Sequence, residues 1–206
     1  MITPNKTFEL KTLNSGYAYI CGVDEVGMGC LAGPVVVCAV KVGKEFYEKG
    51  LVGIRDSKLL SESQREKLYK TLINEKSLSY RISLADSKKI DEINIYQASM
   101  WAMREAIKKV LGSSSQAIVL VDGNKKIPNL SYEQKTVVKG DQKVFAIACS
   151  SIIAKVYRDR MMKQYSKVYP NYGFEQHKGY STILHQKQLN KLGPCPIHRR
   201  SFRLRY

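Results

Sequence analysis

Apolar residues in the first part of the chain come in short blocks, not at helical spacing. Residues 17–24 and 35–42 are rich in β-branched and aromatic side chains, and a glycine-bearing turn with Gly27, Gly29 and Gly33 separates them. This predicts two strands paired antiparallel. Ser61 followed three positions later by Gln64 has the form of a capping box, so a helix is expected to run to about Glu75. Alternation over 78–84 predicts a third strand. Residues 94–111 then place apolar side chains at helical spacing, with Met100, Trp101 and Met103 in the expected core, and end before Gly112, which suits the position after a helix.

Residues 117–121 form an unbroken apolar run, as expected of a strand covered on both faces, and deliver Asp122 at its C-terminal end. Residues 136–139 read as a further short strand delivering Asp141. A long helical pattern over 144–169 is stopped by Pro170, and an amphipathic stretch over 182–192 ends at Gly193. There is no internal repeat, low-complexity tract or Pro/Ser-rich linker. The economical expectation is one α/β domain over residues 1–206, with a basic helical segment at about 170–206.

The 206 residues are 44% hydrophobic and 25% charged, which excludes a disordered, collagen-like or coiled-coil chain. The longest apolar run, 31–42, is interrupted by Gly33 and Pro34 and falls short of the roughly 18–20 residues that span a bilayer. Residues 1–11 are polar and lack the apolar stretch of a secretory leader. A cytoplasmic monomer with no membrane partner is expected. Cys21, Cys30, Cys38, Cys149 and Cys195 are odd in number and sit in mostly apolar strings, so they read as buried free thiols. His177, His185 and His198 show no zinc spacing with them, and nothing supplies the nucleophile of a catalytic triad.

Charge changes the picture. With 34 Lys and Arg against 18 Asp and Glu the chain carries +16, which favours a polyanionic partner, most simply nucleic acid. The bias is steepest after Ala154, where twelve basic residues face only Asp159 and Glu175. Asp159, beside Arg158, reads as a helix-surface ion-pair partner, not as a fifth ligand.

Against this basic background four acids fall at strand ends or in glycine turns: Asp24, Glu25, Asp122 and Asp141. Each alone is an ordinary turn residue. Together, at converging strand ends, they would repel unless cations intervene. Hard divalent ions such as Mg²⁺ or Mn²⁺ take oxygen ligands, and a pair about 3.5–4 Å apart clamps the attacking and leaving oxygens of a phosphoryl displacement. Asp24 and Glu25, being adjacent, share such a site only if the strand ends or twists between them. Gly27-Met28-Gly29 either forms a tight turn or offers backbone N–H groups to a phosphate or sugar. Asp56-Ser57-Lys58 supplies a hydroxyl and an ammonium before a helix, suited to phosphate or to the turn itself. Tyr180, in the basic run His177-Lys178-Gly179-Tyr180, suits either stacking on a nucleotide or the core.

The ordered motifs resemble ribonuclease HII, the type 2 ribonuclease H family. In order these are Gly22-Val-Asp-Glu-Val-Gly-Met-Gly-Cys-Leu-Ala-Gly-Pro-Val35, Asp56-Ser-Lys-Leu-Leu-Ser61, Val121-Asp-Gly123 and Val138-Lys-Gly-Asp-Gln-Lys143. They continue with Ser150-Ser-Ile-Ile-Ala-Lys155, Tyr169-Pro-Asn-Tyr-Gly173, His177-Lys-Gly-Tyr-Ser-Thr182 and His198-Arg-Arg-Ser-Phe202. The resemblance implies a ribonuclease H-like mixed sheet flanked by helices. It also implies an endonuclease that cuts RNA in RNA/DNA hybrids and 5′ to ribonucleotides embedded in DNA. By the same resemblance Asp24, Glu25, Asp122 and Asp141 match the catalytic metal ligands, and Gly27, Met28 and Gly29 match the loop whose backbone senses the ribose 2′-OH. Tyr180 matches the ring that packs on the sugar beyond the scissile step, and Ser57, Lys58, Lys143 and Lys178 fall in the motifs that meet the nucleic acid.

One position departs from the pattern: the family loop usually reads Gly-Arg-Gly or Gly-Lys-Gly, and Met28 stands in place of the basic residue. Three alternatives stand beside this reading. Ribonuclease HIII shares the fold but usually carries an extra N-terminal domain, where about 16 residues precede the first expected strand here. A non-catalytic nucleic-acid-binding module would gain nothing from four acids facing phosphate, and a basic structural protein of a ribonucleoprotein explains the charge but not the acids.

Overall fold

The computed structural model describes residue 4 and residues 6–48, 53–54 and 57–202. Asp56, and Arg203 and Arg205 of the expected basic segment, lie outside the described residues. Helix α1 (Lys6–Asn14) leads into strands β1 (Tyr19–Val26) and β2 (Val35–Val42), then α2 (Lys44–Glu48), a 3₁₀ turn at Ser57–Leu59, α3 (Glu62–Ile73) and β3 (Leu78–Ala85). Helices α4 (Ser87–Ile93) and α5 (Ile95–Leu111) cross over to β4 (Ala117–Asp122) and β5 (Glu133–Val137). Helices α6 (Gly140–Lys143), α7 (Phe145–Val168), α8 (Phe174–His177) and α9 (Ile183–Leu192) follow.

The five strands form one mixed sheet in the order β3-β2-β1-β4-β5. The expected antiparallel pairing of β1 with β2 is present, in a register that sets Asp24 opposite Cys38, and β2 pairs antiparallel with β3. β4 lies parallel to both β1 and β5. Period-two alternation sends β1 side chains to two different cores. Ile20 joins Val36, Cys38, Val40, Ile118 and Leu120 under α7, while Cys21 and Val23 join Val37, Ala39, Val119 and Val121 under α5. Helix α7 crosses so closely over β1 that a Cβ on Gly22 would lie 2.4 Å from the Ala146 carbonyl carbon. Only glycine permits that approach. The capping box is present on α3: Ser61 Oγ accepts from Gln64 N at 3.2 Å, and Gln64 Oε1 accepts from Ser61 N at 2.9 Å. Such a cap contributes about 1 kcal/mol.

Several expectations are corrected. The first strand starts and ends two residues later than expected, so Asp24 and Glu25 lie within β1 instead of at its end. The strand expected at 136–139 is β5 at Glu133–Val137; Lys139 turns left-handed, with φ 56°, and Asp141 sits in the helical turn α6. Helices α1, α2, α4 and α8 were not expected from the pattern. Met100 and Met103 are core residues and Trp101 is half-buried at its edge. All five cysteines are free and buried. Asp159 pairs with Lys155 at 2.9 Å, while Arg158 is fully buried and engaged elsewhere. Among the described residues no helix is long and apolar enough to cross a membrane.

Candidate active site

The ladder between β1 and β4 ends at Val23 opposite Val121, so Asp24 stands abreast of Asp122 at the C-terminal margin of two parallel strands. Asp24, on the α7 side of the sheet, is buried; its Oδ1 accepts the Glu25 N–H at 2.8 Å, and the Ser151 hydroxyl of α7 donates to its carboxylate. Ser151 in turn shares a hydrogen bond of 2.9 Å with Ser57, which is also buried. Asp122 Oδ1 accepts the Gly140 N–H at 2.6 Å. Asp141, the next residue, is 3% exposed and pairs with Lys58 Nζ at 3.2 Å. Glu25 points from β1 toward the opposite face, yet feels the charges of Asp122, Asp141 and Lys58, because β4 does not extend beside it. The adjacent pair therefore shares one site without a break in the strand.

This crowding is electrostatically costly. Burial holds the Asp24 carboxyl well above the usual carboxylate range, and the Glu25 and Asp122 charges add to it. Burial and the Asp122 charge push Glu25 up to about 7, with Lys58 pulling the other way. Asp122 is raised chiefly by burial, against the Gly140 hydrogen bond. Like charges in a desolvated site behave in this way until a cation joins them. All four side chains offer hard oxygen donors, a set that fits Mg²⁺ or Mn²⁺. Among the described residues no three His, Cys, Asp or Glu side chains are drawn together tightly enough to hold an ion as they stand.

A second group adjoins the first. Gly27-Met28-Gly29 follows β1 directly, and its neighbours are clasped by the C-terminal segment: Leu31 N donates to the Gly179 carbonyl at 2.9 Å, Gly33 N to Ile197 and Arg199 N to Leu31, each at 2.9 Å. The Met28 side chain packs on an apolar cluster with Ile95, Trp101 and Phe202. Tyr180 bridges to Cys30, is 40% exposed, and has Lys155 Nζ 5.7 Å from its ring centroid. Its exposure sets it outside the core. Behind it lie three buried histidines, His185 and His198 hydrogen-bonded to each other and His177 stacked on His185, with tautomers fixed by their partners. Gly179 N donates to His177 Nδ1 at 3.1 Å, so His177 Nε2 donates to the Tyr172 carbonyl at 2.8 Å. Cys195 N donates to His198 Nδ1 at 3.0 Å, His198 Nε2 to His185 Nε2 at 3.0 Å, and His185 Nδ1 to the Tyr180 carbonyl at 2.9 Å. Burial drives His185 down to about 4 and lowers His177 and His198 as well.

Of the remaining expected contacts, Lys143 is exposed in sequence position beside Asp141 and donates to the Val138 carbonyl at 2.8 Å. Lys178 is buried and its ammonium turns back onto the Glu175 carbonyl, away from solvent. The structure adds residues that the sequence did not single out: Ser151 and Gly140, which hold two of the carboxylates, and the buried arginines Arg158 and Arg199. Ser151 left one trace, as half of the Ser150-Ser151 pair in the mostly apolar N-terminal half of α7.

The family model described as Ribonuclease HII matches residues 21–205. The chain is 50% identical over 194 residues to the ribonuclease HII of Caldicellulosiruptor bescii, covering 94% of this chain and 91% of the relative. Among solved structures it is similar to the ribonuclease H2 of Pyrococcus horikoshii OT3, with TM-score 0.75 and 28% identity over 90% of this chain and 94% of that one. Bst-RNase HIII in complex with Mn²⁺ shares the fold at TM-score 0.71 and 16% identity, over 87% of this chain and 63% of that one.

Proposed function

Because the chain belongs to the ribonuclease HII family, and is a nuclease of the ribonuclease H type, we propose that it cuts the RNA strand of RNA/DNA hybrids and the 5′ side of ribonucleotides embedded in duplex DNA. The products are a 3′-hydroxyl and a 5′-phosphate. The observation that carries this reading is the meeting of four carboxylates at one sheet margin inside a chain of +16. Such a cluster has no solubility role in a protein built to bind polyanions.

Asp24, Glu25, Asp122 and Asp141 are the residues that would hold two Mg²⁺ or Mn²⁺ ions. Bound there, the ions supply positive charge for the attacking water and the departing oxygen of the phosphodiester. The protein's own groups do the positioning. Ser151 and the Glu25 N–H fix Asp24, the Gly140 N–H fixes Asp122, and Lys58 lies where an ammonium meets both Asp141 and an incoming phosphate. The N–H groups of the Gly27-Met28-Gly29 loop meet the ribose 2′-OH, and the exposed Tyr180 ring packs on the next sugar. Ser57, buried against Ser151, supports the site from behind, and Lys143 gives charge to the nucleic-acid path.

The test is cleavage of an end-labelled DNA duplex carrying one ribonucleotide, beside an RNA/DNA hybrid of the same sequence, in Mg²⁺, in Mn²⁺ and in chelator. Metal-dependent cutting 5′ to the ribonucleotide is expected. Cutting of the hybrid alone removes the embedded-ribonucleotide part of the proposal, and binding without cutting removes the catalytic assignment.

A further inference from the structure

Two arginines, Arg158 of α7 and Arg199 of the C-terminal segment, are fully buried, and their guanidinium groups donate to main-chain carbonyls. Arg158 donates to Pro34 at 3.0 Å, Lys178 at 2.8 Å and Ala32 at 3.1 Å. Arg199 donates to Gly33 at 3.0 Å, Met28 at 2.9 Å and Gly27 at 2.6 Å. A buried guanidinium is ordinarily matched by a carboxylate, because its desolvation is otherwise unrepaid. Here six carbonyl dipoles do that work. The chain thus spends two of its least easily buried side chains on aiming the peptides around one loop.

The aim has a direction. In a trans peptide the carbonyl and the following N–H point opposite ways, and no peptide bond among the described residues is cis. Drawing the Gly27 and Met28 carbonyls inward onto Arg199 therefore turns the Met28 and Gly29 N–H groups outward. Of the other peptides held by the pair, Gly33 N–H is taken by the Ile197 carbonyl and Gly179 N–H by His177 Nδ1, residue 34 is a proline without an N–H, and Val35 enters the β2–β3 ladder. Met28 and Gly29 N–H are engaged by no described residue. Gly29 points the same way: it is exposed, its φ is outside the left-handed region, and a Cβ there would meet nothing within 4 Å. The backbone at Gly29 is therefore open to close approach from outside the protein.

We propose that Arg199 is a positioning residue that presets the outward N–H pair of Met28 and Gly29, braced by Arg158, which fixes the adjoining Ala32, Pro34 and Lys178 carbonyls and lies directly against Gly27, and that the two thereby set how strongly the enzyme distinguishes a ribose 2′-hydroxyl from a 2′-hydrogen. This rests on the ribonucleotide-directed function proposed above. The mechanism is preorganisation: donors already fixed toward the sugar oxygen need no reordering when substrate arrives. Met28 serves the same end from its other side, since its side chain is seated on the apolar cluster beside Phe202, whose ring lies 5.1 Å from the Arg199 guanidinium carbon.

Arg199→Lys and Arg158→Lys keep the charge but lose the fork of donors. Each would be compared with wild type for cleavage of a duplex with one ribonucleotide, for affinity toward the all-DNA duplex of the same sequence, and for thermal unfolding. The expected result is a folded protein with kcat/KM on the ribonucleotide substrate down at least tenfold and all-DNA affinity unchanged within twofold. In wild type, amide exchange in chelator should show Met28 and Gly29 protected by the ribonucleotide duplex and not by the all-DNA duplex. Folded lysine variants that cleave like wild type, a parallel loss of cleavage and all-DNA affinity, loss of fold in both variants, or equal amide protection by the two duplexes would each overturn the proposal. A wild-type protein that fails to cut at the ribonucleotide would instead overturn the functional reading beneath it.

Discussion

Glu9 Oε2 accepts the backbone N–H of Phe145 at 2.7 Å, across 136 positions of chain. Its other oxygen accepts from Ala146 N at 2.9 Å and from the Tyr47 hydroxyl at 2.7 Å, and the side chain is fully buried. Helix α7 has no side-chain cap of its own, Val144 being unable to supply one, so a carboxylate from α1 serves as its N-terminal cap from a distance. Glu9 lies before the residues that the family model matches.

Replacing Glu9 with Ala leaves two helix N–H groups and a tyrosine hydroxyl without their acceptor, and should cost about 3 kcal/mol in urea denaturation. Gln restores an acceptor oxygen and should recover part of that loss. An alanine variant as stable as wild type would show that water replaces the cap at no cost.

Asp122→Asn and Asp141→Asn keep shape and remove a charged oxygen donor. Turnover on either substrate should fall by about 100-fold or more, the scale of losing a transition-state contact, while hybrid binding in chelator stays within a few-fold of wild type. Equal loss of binding and turnover would move both residues out of the chemistry.

Ser151→Ala severs the link from Ser57 through Ser151 to Asp24. A carboxylate that has lost its orienting hydrogen bond should cost roughly 10- to 100-fold in metal affinity or activity. Titration of activity against Mn²⁺ separates the two, because a positioning defect is partly rescued by more metal.

The buried histidine cluster predicts acid lability. His185 is held down to about 4 when folded, against about 6.5 in an unfolded chain. The unfolded state therefore gains the proton first, and the stability tied to neutral His185 is complete above about pH 6.5 and lost as pH falls toward 4. At pH 5 the loss from this residue is on the order of 2 kcal/mol. His177, stacked on His185 with ring centroids 4.2 Å apart, and His198 act in the same direction. Denaturation midpoints of wild type and His185→Asn should converge as pH drops from 7 to 5; a constant gap between them would sink the assignment.

The strands and the long helices were legible because their pattern is local: β-branched and aromatic blocks gave β1 and β2, alternation gave β3, an unbroken apolar run gave β4, and Ser61 with Gln64 gave the start of α3. Asp122 was legible as the end of an apolar run. What the sequence hid was where charge goes. Counted as a number, Arg158, Lys178 and Arg199 belong to a basic face; in the fold all three are buried against carbonyls. Glu9 hid for the same reason, since in the sequence of α1 its one fully buried acid looks like any surface glutamate. The cluster of His177, His185 and His198 depends on three segments folding onto one another, which no spacing rule encodes. Asp141 was found in the right place on the wrong element, because Lys139 turns the chain from β5 into a helical turn before the acid is reached.

The placement of β4 beside β1 has a consequence in time. Asp24 and Glu25 are synthesised early, within an antiparallel three-stranded unit, whereas Asp122 arrives about a hundred residues later by a crossover through α5, and Asp141 follows it in α6. Parallel pairing at that sequence separation forms slowly compared with a local hairpin. A chain emerging from the ribosome through β3 therefore holds two of the four carboxylates, and the proposed site is complete only after the crossover has brought β4 beside β1.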